Sequence, residues 1–197
     1  MTPGRMEAFS DGVIAILITV MVLGLRVPDG AQWSSLRDTV PTLLNYALSF
    51  VYLGIYWNNH HHMLHATRHV NGAILWANLH LLFWLSLVPA ATAWMSRQHF
   101  AEVPVAVYGI VLLASAIAYF VLQTAIIRSQ GAGSVLARAV GRDRKGKLSP
   151  VLYALGIALA FAERWAAVAI FAVVAGMWLV PDRRVATTLG AVSDAGA

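Results

Sequence analysis

No cysteine occurs anywhere in the chain, which excludes disulfides and thiolate metal sites. Charge is also scarce. Only 12% of the 197 residues are Asp, Glu, Lys or Arg, against about 25% in a typical soluble domain. Hydrophobic residues make up 59%, more apolar surface than a core of this size can hide, so the chain reads as a membrane protein. Its 9 acidic side chains are outnumbered by 14 basic ones. In a membrane protein such an excess sets topology and meets anionic lipid rather than nucleic acid. No Ser-His-Asp arrangement, catalytic carboxylate pair or dinucleotide fingerprint stands out. Glycines 131, 133, 141 and 146 lack the Gly-Lys-Ser/Thr of a phosphate loop. The chain is therefore not read as an enzyme, and no cofactor or soluble substrate is called for.

What is present is a series of long apolar runs. A membrane helix needs roughly 20 mostly apolar residues. Stretches 8–25, 42–62, 73–95 and 104–127 meet that need, with Pro89 kinking the third. The last apolar block, 148–180, is 33 residues long. As one helix it would run to about 50 Å, beyond a hydrocarbon core of about 30 Å. Glu163 and Arg164 lie in its middle, so it divides into short spans at 148–162 and 165–180. The first run is followed by Arg26, Pro28 and Asp29 and lacks a small-residue cleavage site, so it is read as a retained span. The sum is an all-α, polytopic membrane protein with six transmembrane helices.

Six spans put both termini on one side. Arg5, Arg68, Arg128, Arg138, Arg142, Arg144, Lys145, Lys147, Arg183 and Arg184 then share a face, and only Arg26, Arg37, Arg97 and Arg164 lie opposite. Ten against four places the termini in the cytoplasm and the protein in the cell (inner) membrane. The basic connector 128–147 is expected to face anionic lipid. Residues 185–197 are expected to form a disordered tail.

Three constellations could carry function. Gly12, Ile16, Thr19 and Leu23 recur at steps of four, three and four and share one face of the first span. Such a face suits a pore, where branched side chains narrow the path and a hydroxyl meets a partly dehydrated ion. It also suits close packing between helices, the reading that periodicity alone favours. Ser10 and Asp11 come just before it, either capping a helix or anchoring the first span to polar groups of the next two. His60, His61, Asn78 and His80 are the available partners. Finally, His61, His65 and His69 are spaced four apart, as metal-binding imidazoles are, but their own segment has no carboxylate or thiolate.

The opening residues Arg5-Met-Glu-Ala-Phe9-Ser10-Asp11 resemble the hallmark of the transmembrane protein 175 family of potassium channels, in its short prokaryotic form. Trp57 with His60, Asn78 with Phe83, Ser86, Leu87 and Pro89, and the run Pro181-Asp182-Arg183-Arg184 resemble it further. The carbonyl filter Thr-Val-Gly-Tyr-Gly of ordinary potassium channels is absent, and this family does not use one. The resemblance implies one six-span repeat (residues 1–184) and a homotetramer with the first helix of each subunit around a central pore. It implies K+ as the permeant ion, a hydrophobic constriction at Ile16, a pore-lining hydroxyl at Thr19 and a further pore-facing residue at Leu23. Arg5, Phe9, Ser10 and Asp11, with His60 and Asn78, would fix the first helix in place. Ala90 departs from the family, where Phe often follows the third-span proline. A metal or ion transporter using the histidine cluster, and a non-conducting scaffold, are the alternatives.

Overall fold

The computed structural model describes residues 1–179 except 26, 29, 38, 132 and 142. The tail, the Pro181–Arg184 run, Arg26 and Arg142 lie outside the described residues. Those that are described fold as helices only: α1 (Pro3–Val20), α2 (Trp33–Arg37), α3 (Val40–His65), α4 (Gly72–Ser86), α5 (Val88–Arg97), α6 (Glu102–Gln130), α7 (Val135–Val140), α8 (Arg144–Leu159) and α9 (Arg164–Leu179). A single 3-10 turn, Met21–Gly24, extends α1.

Local chemistry sets the boundaries. Pro3, Pro41 and Pro89 sit in the first turns of α1, α3 and α5, where a missing N–H costs nothing. Asn71 and Asp143 cap α4 and α8 by accepting from the Ile74 and Gly146 amides. Gly131, at φ 88°, closes α6 in a conformation other residues avoid. Near Pro89 the regular hydrogen bonding is interrupted at Leu87, which keeps helical dihedrals, with α4 ending at Ser86 and α5 restarting at Val88. Proline cannot donate to the carbonyl one turn back, and its ring crowds that carbonyl. The final apolar block is two helices, with the turn falling at 160–163.

Among the described residues, three helical stretches are long and apolar enough to cross a membrane: Pro3–Gly24, Gly72–Arg97 and Glu102–Gln130. The last two include the α4–α5 pair and α6. Helix α9 is apolar but, at 16 residues, shorter. Helix α6 packs against α4 and α8, α8 against α9, and α1 against α3 and α4.

The core combines tight packing with buried hydrogen bonds. Phe171 of α9 is fully buried between Gly109 of α6 and Gly156 of α8. A Cβ at either glycine would come within 2.6 Å of its ring. Tyr52 of α3 donates to the Phe171 carbonyl at 2.6 Å. Nearby, Thr92 of α5 donates to Ser49 of α3 at 2.7 Å, and Ser49 bonds Tyr108 of α6 at 3.0 Å. Asn45 of α3 donates to the Thr92 carbonyl and to Ser96. These bonds tie α3, α5 and α6 together where helices have no water to turn to.

A Gly156→Val substitution is expected to overpack this junction and cost about 1–3 kcal/mol. A lower melting temperature of the detergent-purified protein would register it; an unchanged one would show that Phe171 can move aside.

Candidate functional site

Helix α1 has two unlike faces. Met6, Ser10 and Ile14 are buried against the bundle, as is Met21 just beyond. Gly12, Ile16, Thr19 and Leu23 are all exposed on the subunit, Ile16 by 61% and Leu23 by 79%. Nothing lies within 4 Å of where a Cβ would stand on Gly12. Of the three apolar stretches the first is covered least: 22% of its most apolar window is buried, against 39% and 50% in the others. The Thr19 hydroxyl donates to the Ile16 carbonyl at 2.9 Å. That bond uses its only proton and leaves its lone pairs turned away from the helix.

The buried face is held by a chain of hydrogen bonds. Ser10 donates to the Met6 carbonyl at 2.8 Å and accepts from the Asn78 side-chain amide of α4 at 2.9 Å. The Asn78 carbonyl oxygen lies 2.7 Å from Nε2 of His60 on α3. Ser10, Asn78 and His60 are each at most 2% exposed. The directions follow from the donors. Asn78 gives its N–H to Ser10, so its oxygen faces His60, and His60 Nε2 must carry the proton. His60 Nδ1 is then a bare acceptor, and it is buried without a partner.

Asp11 lies outside that chain. It accepts from the Trp57 indole N–H of α3 at 3.1 Å. One turn earlier, the Glu7 carboxylate meets His61 Nδ1 at 2.7 Å and His65 Nε2 at 3.3 Å. Four of the residues grouped from the sequence are placed elsewhere. His80 points outward from α4 and accepts from Trp84 at 2.9 Å. His69 does not join the other imidazoles, because α3 ends at His65 and the four-residue step ends with it; its ring lies 3.3 Å from Ser129. Phe9 is 51% exposed, on the open side of α1, and Arg5 is also exposed, so neither packs into the buried anchor. Sequence reasoning missed Glu7, and it singled out Trp57 only by resemblance, not as the partner of Asp11. Glu7 carries a signal: it precedes Asp11 by one helical turn and so shares its face.

The bundle and this site define a class: a helical membrane protein whose first helix is tied to its neighbours by buried polar groups and left bare on the opposite side. Residues 5–89 match the family described as "Endosomal/lysosomal potassium channel TMEM175". A protein named as a potassium channel from Chryseobacterium sp. (strain P1-3) is 53% identical over 96% of this chain and 98% of its own length. Another of that name, from Chamaesiphon minutus, is 32% identical over 87% of this chain and 91% of its own. The crystal structure of a lysosomal potassium-selective channel TMEM175 homolog from Chamaesiphon minutus superposes with a TM-score of 0.75 at 28% identity, over 90% of this chain and 96% of that one. The chain belongs to the TMEM175 family.

An Asn78→Leu substitution removes the middle of the buried chain and leaves His60 without its acceptor. The expected loss is about 1–3 kcal/mol. His80→Leu, on the outer side of the same helix, should cost far less. Chemical denaturation of the two variants in detergent compares them directly; equal losses would deny the chain its anchoring role.

Proposed function

We infer that this chain is the subunit of a potassium channel that conducts passively across the cell membrane. In this reading each subunit crosses six times with both termini in the cytoplasm, and four subunits place their α1 helices around a central pore. Connector 128–147 lies against anionic lipid head groups. The relatives named as potassium channels support the ion. The observation that carries the pore is the bare face of α1, which combines glycine, isoleucine, a hydroxyl and leucine while the opposite face is locked into the subunit. Lipid alone does not call for the glycine and the hydroxyl on that face.

The physical mechanism follows from ring chemistry. Four Ile16 side chains meeting at an axis form an apolar constriction that water leaves easily. Beside it, four Thr19 oxygens, their protons committed to the Ile16 carbonyls, present lone pairs to a cation. Leu23 adds a second apolar ring. Hydroxyl oxygens bind a cation loosely, which favours passage over trapping. Ser10, Asp11, Asn78 and His60 act indirectly, by setting the rotation of α1 and hence where Ile16 points.

Ile16→Asn should raise the flux of potassium into liposomes and reduce its preference over sodium. Unchanged selectivity would remove Ile16 from the constriction. Asp11→Ala should weaken folding or tetramer assembly, seen by size-exclusion with light scattering, before it alters ion preference. Intact tetramers with altered permeation would reverse that assignment, and a wild-type monomer would exclude the pore.

A further inference from the structure

The Glu7 group is not needed by the pore reading, yet it has the composition of a metal site. Two imidazoles from the end of α3 approach the same oxygen, Oε1, of a carboxylate from α1. One ligand atom from each residue lies within 4.8 Å of the other two. We propose that Glu7, His61 and His65 bind a zinc-class divalent transition-metal ion that bridges the N-terminal part of α1 to the C-terminal end of α3.

The dimensions suit such an ion. Ligands on tetrahedral zinc, at about 2.0–2.1 Å from the metal, stand about 3.3 Å from one another. The His65 contact at the carboxylate, 3.3 Å, equals that edge, and the His61 contact, 2.7 Å, is a hydrogen bond that lengthens by about half an ångström when an ion enters. A metal here takes the place of the proton now shared between His61 and Glu7. Two nitrogens and one carboxylate oxygen favour zinc, copper, nickel or cobalt over magnesium and calcium. The His65 side chain is 60% exposed and that of Glu7 18%, so water can reach the fourth position while the carboxylate is shielded.

The ligands are also supported from behind. The His61 ring stacks on Trp57, with centroids 6.1 Å apart, and Trp57 donates to Asp11. His61 and His65 stand one turn apart on a regular helix, their ring centroids separated by 4.4 Å. Outer partners of this kind orient ligands before the metal arrives. The site exists within one subunit, so it holds whether or not α1 lines a pore.

The test uses the full chain, purified in detergent without a polyhistidine tag and stripped with chelator. Zinc titrated by calorimetry should bind at one ion per chain and raise the melting temperature. Cobalt(II) should give the visible absorption of a four-coordinate ion and be displaced by zinc. Glu7→Gln and His65→Ala should each weaken zinc binding by more than about tenfold, while His62→Ala and His69→Ala leave it unchanged. His65 is largely exposed, so its variant keeps the fold and remains informative if a His61 variant does not. No saturable zinc binding, binding insensitive to Glu7→Gln and His65→Ala, or binding lost with His69→Ala would overturn the site.

Discussion

Polar groups buried among membrane helices must find one another, because neither lipid nor a dry core will hydrogen-bond them. Ser10, Asn78 and the Nε2 side of His60 obey that constraint across three helices, and the rest of the site depends on it. Turning α1 by a single residue, about 100°, would carry Ser10 away from Asn78 and leave the buried Asn78 N–H without its acceptor. The rotation of α1 is thereby fixed, and its outer face is fixed with it. Gly12, Ile16, Thr19 and Leu23 face away from the bundle because Ser10 faces in. Asp11 on Trp57 and Glu7 on two imidazoles add contacts along the same seam between α1 and α3.

An anchor is only as firm as the helices it reaches. Helix α3 is itself held by a second set of buried bonds. Beyond Leu87, Thr92 on α5 meets Ser49 on α3. Ser49 passes the connection to Tyr108 on α6. On the far side, two glycines let α6 and α8 close on Phe171 of α9. Small residues and hydroxyls do here what a hydrophobic driving force does in water-soluble proteins.

The helical architecture was legible because apolar run length is a strong signal and proline and glycine mark most boundaries. Even the division of the last block followed from its length together with the charged pair Glu163-Arg164 at its middle. The motif Arg5–Asp11 was legible by resemblance, and spacing placed Gly12, Ile16, Thr19 and Leu23 on one face without telling whether that face is bare or packed. What could not be read was pairing. Asn78 and His80 are two residues apart on one helix and equally odd in an apolar run, yet one faces in and the other out. Their difference lies in the rotation of α4, which one sequence does not state. The histidine group was misjoined for a related reason: a four-residue step works only while the helix continues, and α3 stops at His65. The carboxylate missing from that segment arrives from α1, a contact between residues more than fifty positions apart.

The anchor's chemistry also separates mechanical strength from charge transport. A proton hops along a wire only if each member can take it and pass it on. Asn78 sits in the middle, receiving at its oxygen and giving from its nitrogen, and an amide cannot relay a proton between those atoms without an energetically costly tautomer. The route from His60 through Asn78 to Ser10 is thus electrically insulating, although every bond in it is short. A subunit can be stitched together through its dry interior by such a link without opening a leak for protons beside the path of its ion.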